Sequence, residues 1–174
     1  MTRAAGAARP PRGGGTVRGV RAAPARSDAV DVRAVRRGDL DAVIAIDAAA
    51  TKLPKPAYWR AVFRRYGNPD ERGRHFLVAC VGGEVAGFVV GEVRDWEFGS
   101  PPCGWVFGID VRADMREAGV GSRLLDAMAK RFRRAGVTKL RTMLARENTL
   151  IMSFFRSQGM TAAPFIPLEM DLER

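Results

Sequence analysis

The chain has 174 residues, 47% of them hydrophobic, and its 29 Lys and Arg against 19 Asp and Glu give a formal charge of +10. That length suits one domain with a proper core, and no apolar run approaches the roughly 18 residues of a membrane span. Two cysteines, Cys80 and Cys103, and one histidine, His75, exclude a disulfide framework and a metal-ligand cluster and fit a reducing, cytoplasmic setting.

The charge is uneven. Six arginines (Arg3, Arg9, Arg12, Arg18, Arg21, Arg26) fall within residues 1–27, which hold no acid and are rich in Ala, Gly and Pro. Such a stretch cannot bury enough apolar surface to offset its ordering entropy. Residues 1–28 therefore read as a disordered tail ahead of a single domain, 29–174. A nucleic-acid-binding arm and an arginine-rich transit peptide are the other readings of that tail.

"VDVRAV" (30–35) alternates and predicts a strand. A helix follows over 38–50, with Asp39 as N-cap and Leu40, Val43, Ile44 and Asp47 at helical spacing. Pro54 and Pro56 interrupt the chain. A second helix over 57–67 carries Trp59, Val62, Phe63 and Tyr66 on one side and ends at Gly67. "HFLVACVGGEVAGFVVGEV" (75–93) is two β-runs joined at Gly82-Gly83, a hairpin signal. After a Pro/Gly-rich connection, 94–104, "WVFGIDV" (105–111) predicts a strand. Residues 119–135 show Val120, Leu124, Leu125, Met128 and Phe132 as an apolar stripe of helical period. A strand over 139–145, a short helix over 149–159 and a closing strand over 165–172 complete the order. Pro167 suits that last strand to an edge. The sum is an α/β (α+β mixed) fold: a mixed, mostly antiparallel sheet flanked by about four helices.

Gly119 and Gly121 open the third helix, where glycine weakens the backbone. A helix start leaves its first N–H groups unpaired and partly positive. Bare backbone there makes an anion cradle suited to a pyrophosphate, with Arg116 and Ser122 at hand. Leu124 stands where a dinucleotide-binding G-x-G-x-x-G needs Gly or Ala, and no G-K-[ST] follows for a P-loop. A tight strand-to-helix turn is the structural alternative.

The segment "IDVRADMREAGVGSRLL" resembles the acetyl-CoA signature [RQ]-x-x-G-x-[GA] of the GCN5-related N-acetyltransferases, the GNAT superfamily, with Arg116, Gly119 and Gly121 in register and Ala113 where Pro is usual. "NTLIMSFFRSQGM" (148–160) is similar to the family's N-x-x-A-x-x-[FL]-Y-x-x-x-G-F: Asn148, Phe154 and Gly159 match, while Ile151, Phe155 and Met160 depart. The resemblance spans residues 30–172 and implies a GNAT-like sheet with splayed fourth and fifth strands. It implies an acetyl-CoA-dependent N-acetyltransferase acting by direct attack of an acceptor amine, without metal. The cofactor-binding residues it implies are Ile109, Val111, Arg116, Glu117, Ala118, Gly119, Val120, Gly121, Ser122, Asn148 and Phe155. The Val111 backbone N–H would polarise the thioester carbonyl.

Phe155 occupies the position of the family's proton-donating Tyr. Ser153, a water or the amine's own proton are the substitutes. The base positions of histone-type and ribosomal-type members fall on Trp105 and Met143. Asp110, Glu92 and Glu97 are the carboxylates left as candidate bases; Asp110, Glu97 and Ser153 are taken as the catalytic set. Trp59, Trp96, Phe98 and Trp105 are expected around the acceptor, or in the core. The basic run 130–141 reads as a solvated helix face, or as a contact for the 3′-phosphate of coenzyme A. The expected partner is a small-molecule or peptide amine, with no membrane; a homodimer is open. A catalytically silent acetyl-CoA sensor and a nucleic-acid-associated protein using the basic tail are the rival readings.

Overall fold

The computed structural model describes residues 29–172; the arginine-rich segment 1–28 lies outside the described residues. Strand β1 spans Asp31–Ala34, helix α1 Leu40–Thr51, α2 Pro56–Tyr66, β2 Arg74–Val81, β3 Glu84–Arg94, β4 Cys103–Val111, α3 Val120–Arg134, β5 Leu140–Arg141 and α4 Thr149–Ser157, with short 3-10 turns at Arg37–Asp39, Glu97–Gly99 and Ala113–Ala118. Among the described residues no helix is long and apolar enough to cross a membrane.

The strands lie in the order β1-β2-β3-β4-β5. The first four are antiparallel neighbours and β5 runs parallel to β4. Gly82 and Gly83 close the β2–β3 hairpin with φ of +59° and +87°, the mirror-image turn that matches strand twist and that only glycine takes without strain. β2 is apolar almost throughout because both faces of the sheet are covered. Phe76, Val78, Phe88 and Val90 pack under α1 and α2 with Val43, Trp59 and Val62. Leu77, Ala79, Val89 and Val106 pack under α3 and α4 with Val120, Leu124, Met128, Phe132 and Phe155. The result is a three-layer sandwich.

Asp39 does not cap α1 with its side chain. It is buried, takes the Arg33 guanidinium as a fork at 2.7 and 2.9 Å, and accepts the Arg36 N–H at 2.7 Å. The 3-10 turn preceding α1 carries Asp39 inward, where a paired carboxylate ties the end of β1 to the helix start. The Arg33 fork, the strongest influence, holds the Asp39 carboxyl below its ordinary 3.8. The sign of the linkage follows: the folded state binds this proton less well than the unfolded chain. The stabilisation is therefore complete above the unfolded value and is lost as pH falls through the depressed one. Asp39→Asn should cost about 1–3 kcal/mol at neutral pH by stranding a half-buried guanidinium. Urea denaturation at pH 7 should show it, and an unchanged midpoint would refute the role.

Two predicted strands are corrected. Only Leu140 and Arg141 of 139–145 pair in the sheet, because the chain leaves β4 immediately afterwards. Residues 165–172 alternate as a strand should but form none. Alternation supplies a face; a ladder also needs a neighbouring strand, and this segment has none within the described chain.

Candidate active site

β4 and β5 pair at Gly104–Leu140 and Trp105–Arg141 and then part. The cause lies in β4. Val106 faces Gly91 and Gly108 faces Val90, so Phe107 is one residue too many for the ladder with β3. Such a bulge bends its strand and re-aims the residues beyond it. On the β5 side the Thr142 hydroxyl donates to the Val106 carbonyl at 2.9 Å, taking the place of the next backbone bond. Beyond this point a cleft of about 470 Å³ opens between residues 106–110 and 142–145, with α1 and α2 on one flank and α4 on the other.

Asp47 sits buried on the inner face of α1. Its carboxylate accepts the Trp59 Nε1–H at 2.9 Å and the Lys55 ammonium at 3.0 Å. Pro56 at the first turn of α2 fixes the entry that brings Lys55, Tyr58 and Trp59 to the cleft. The Trp59 ring is further held edge-on against Phe88, with centroids 4.8 Å apart. This flank is therefore a rigid aromatic wall with one ion pair in it.

Asp110 lies across the cleft near the end of β4. Its Oδ1 accepts the Val111 N–H at 2.8 Å; among the described residues Oδ2 has no hydrogen-bond partner. Burial pushes this carboxyl above the usual carboxylate range. Asp47 adds to that, while the Val111 N–H and the Arg116 guanidinium oppose it. The expected use of the Val111 N–H as a donor to a thioester carbonyl meets a group already engaged by Asp110.

The two glycines of the third helix have different reasons. Gly119 has φ +73°, and a Cβ there would meet nothing. It reverses the chain between the 3-10 turn and α3, in a left-handed conformation that favours glycine. No side chain caps α3, so no side chain takes up its first N–H groups. Gly121 has a packing reason. A Cβ would stand 3.1 Å from the Phe154 ring and 3.7 Å from Val111, so Gly121 lets α4 and the end of β4 close on α3.

Of the residues expected from sequence, Ile109, Asp110, Asn148 and Phe155 line the cleft. Arg116, Glu117, Ala118 and Gly119 are exposed around the turn into α3; Ser122 is half-buried and Val120 anchors the helix in the core. Asn148 caps α4, accepting the Ile151 N–H at 3.2 Å. Phe155 is buried and closes the wall where a phenol would otherwise stand. Glu97 and Ser153 do not line the cleft. Glu97 lies 3.9 Å from Arg94, and Ser153 is on the exposed side of α4. Glu92 is held by the Tyr66 hydroxyl at 2.8 Å and Arg94 at 3.0 Å.

Among the aromatics, Trp59 lines the cleft, Trp96 is 69% exposed, Trp105 lies under the Arg94 guanidinium, and the side chain of Phe98 is outside those described. Cys103 is buried and accepts a hydrogen bond from Arg141 at 3.4 Å. Sequence reading missed Lys55, Phe107 and Thr142 and gave Asp47 no role beyond its spacing. One signal was available: Asp47 is the single charged residue on the otherwise apolar stripe of α1.

The sequence profile of the Acetyltransferase (GNAT) family matches residues 40–160. Among solved structures, the chain is similar to aminoglycoside N-acetyltransferase AAC(6')-Iy in complex with CoA, at 19% identity and TM-score 0.73, covering 87% of this chain and 99% of that one. It is similar also to aminoglycoside antibiotic 6'-N-acetyltransferase AAC(6')-Ih from Acinetobacter baumannii, at 13% identity and TM-score 0.69, covering 83% and 100%. A third is ribosomal-protein-alanine N-acetyltransferase from Brucella melitensis biovar Abortus 2308, at 22% identity and TM-score 0.66, covering 83% and 100%. At these identities the likeness is one of fold. No curated protein matches the chain in sequence.

Proposed function

The chain belongs to the GNAT acetyltransferase family, and from that premise we propose that it moves the acetyl group of acetyl-CoA onto an amine seated beside Asp110. The observation that carries the reading is a juxtaposition: Gly121 at the uncapped start of α3 packs against Val111 and Phe154, whose chain neighbours Asp110 and Phe155 line the cleft that the β4 bulge opens. Acetyl-CoA supplies the activated thioester. The α3 amides with Arg116 would hold its pyrophosphate. The parted strands at Ile109 and Leu144 would guide its arm, and Phe155 would keep water from the sulfur. A fold neighbour solved with CoA supports that cofactor for this chain.

Asp110 is the group placed to take the proton of the attacking amine. It lines the cleft, keeps Oδ2 without a protein partner, and is raised by burial toward the basicity that proton abstraction needs. Asp47 acts indirectly, holding Lys55 and Trp59 in position. Fold neighbours described as aminoglycoside acetyltransferases make aminoglycosides reasonable first acceptors to assay.

Titration calorimetry with coenzyme A and acetyl-CoA tests the cofactor half of this reading. The wild-type chain should give heat, and Gly119→Val should weaken binding by about tenfold or more, because a branched side chain at φ +73° displaces the first turn of α3. Absence of heat in the wild type sinks the assignment. Release of CoA against a panel of amines tests the transfer half. Binding without release from any amine would favour an acetyl-CoA sensor, in keeping with Phe155.

A further inference from the structure

Among the described residues the charged groups lining the cleft are Asp47, Lys55 and Asp110. Asp47 is engaged at both oxygens, Oδ1 by the Lys55 ammonium and Oδ2 by the Trp59 Nε1–H. Lys55 is not engaged to the same degree. An ammonium carries three donors; among the described residues that of Lys55 donates to Asp47 at 3.0 Å, with the Tyr58 ring centroid 5.9 Å away. Its side chain is 31% exposed, so N–H groups stay free on the wall opposite Asp110. A second observation concerns the flank as a whole. Residues 48–69, the end of α1, the link and all of α2, hold Lys52, Lys55, Arg60, Arg64 and Arg65 and no Asp or Glu. Lys52, Arg60, Arg64 and Arg65 are exposed, and among the described residues none of them forms an ion pair. The field over this side of the cleft is positive. A polycation entering there meets repulsion and finds Asp110 as the carboxylate without a cation on it.

We propose that the acceptor is an amine that also carries a carboxylate, the amine seated at Asp110 and the carboxylate taken by the free N–H groups of Lys55 on the facing wall. The inference rests on the transfer reading of the cleft and narrows its acceptor. A carboxylate on Lys55 makes a charge-assisted hydrogen bond and leaves the Asp47 bond in place. Between its charged ends the acceptor meets Tyr58, Trp59 and Phe107, rings that suit an apolar spacer. The two charged ends are set apart by the width of the cleft, so a carboxylate several bonds from the amine fits better than one on the neighbouring carbon. The chemistry is unchanged by this choice. The acceptor ammonium gives one proton to Asp110, the N–C bond forms as the thioester C–S bond breaks, and the departing thiolate takes the second proton released by the nitrogen.

The full chain is assayed for CoA release with matched amines: the ω-amino acids from glycine to aminohexanoate, their amides, the diamines of equal length, an aminoglycoside, and a short peptide with an acidic second residue. The best ω-amino acid should exceed its amide and its diamine in kcat/KM by about tenfold or more, and added salt should shrink that margin. The peptide arm tells a free amino acid from the acidic end of a chain as the source of the same two groups. Lys55→Gln should raise KM for the acid by about tenfold and abolish its advantage over the amide, while Lys55→Arg should keep the advantage. Were Lys55 merely a support for Asp47, the acid and its amide would lose activity together, and that result overturns the proposal. So does a preference for the acid that survives Lys55→Gln. Faster turnover of the diamine, the amide or the aminoglycoside overturns it too and leaves the transfer assignment standing. Calorimetry of the ω-amino acids into CoA-loaded protein separates the converse case. Saturable heat that Lys55→Gln removes, without CoA release from any amine, upholds the carboxylate site and sinks the transfer; neither heat nor release sinks both.

Discussion

Asp110→Asn is expected to lower kcat/KM for the acceptor amine by about 10²–10³-fold while leaving acetyl-CoA affinity within about twofold, the range over which a positioned proton acceptor acts. The expectation follows from where the side chain stands. Asp110 is held by the Val111 N–H at 2.8 Å and lines the cleft opposite the Asp47–Lys55–Trp59 wall. An asparagine of the same shape keeps the site but cannot take a proton. The pH dependence supplies a second reading. Burial, then Asp47, raises this carboxyl, and only the ionised form accepts a proton. Activity of the wild type should therefore fall as pH drops through a value above the ordinary carboxylate range. That acid limb should be missing from the variant.

Stability moves the other way. The folded state holds the Asp110 proton more tightly than the unfolded chain, so stability declines as pH rises from the unfolded to the folded value. Above that window Asp110→Asn should be as stable as the wild type or slightly more so. Steady-state rates of CoA release from pH 5 to pH 9, with calorimetry on the same proteins, decide the matter. An unaltered acid limb in Asp110→Asn would remove Asp110 from the chemistry.

Gly104→Ala carries the largest expected loss of stability, about 3 kcal/mol or more. Gly104 opens β4 beneath α3. A Cβ there would lie 2.6 Å from Cγ and Cε2 of Phe132, and Phe132 is 2% exposed with no space to retreat. Gly91, on the neighbouring strand β3, makes the same allowance: its Cβ would meet the Phe132 ring tip at 2.9 Å and the Trp105 carbonyl at 2.6 Å. Two glycines set diagonally on adjacent strands, Gly91 opposite Val106 and Gly104 opposite Val93, thus form a flat seat for one phenyl ring, and α3 approaches the sheet at that seat. Gly38→Ala is the control, since a Cβ there meets nothing; it should stay within about 0.5 kcal/mol. Adding Phe132→Leu to Gly104→Ala should recover part of the loss, so that the double variant is less destabilised than the sum. Strict additivity in denaturant melts would show that ring and glycine do not conflict.

The cleft was only partly legible before the fold was known. Ile109, Asp110, Asn148 and Phe155 were marked by their places in short motifs, and the structure brings them to one cavity. Glu97, singled out beyond the end of the third strand, and Ser153, inside the second motif, face elsewhere. A carboxylate near a strand end announces nothing about direction when a bulge at Phe107 or a turn with Trp96 in the left-handed region intervenes. Lys55 and Thr142 belong to segments more than 30 residues from the glycine signature or across a crossover from it. Their roles depend on partners, Asp47 and the Val106 carbonyl, that no local spacing reveals.

By itself the sequence determined the order of the elements from β1 to α4, though not the shortness of β5, together with the Gly82-Gly83 hairpin and the glycine-marked start of α3. These follow from periodicity and from backbone conformations that few residues adopt, which are local properties. Only the tertiary structure decided that Gly121 packs against Phe154, that Asp39 pairs with Arg33 instead of capping α1, and that 165–172 finds no strand beside it. Each of those outcomes is set by which distant atoms come within a few ångströms of one another, and a pattern of residue types along the chain carries no such distances.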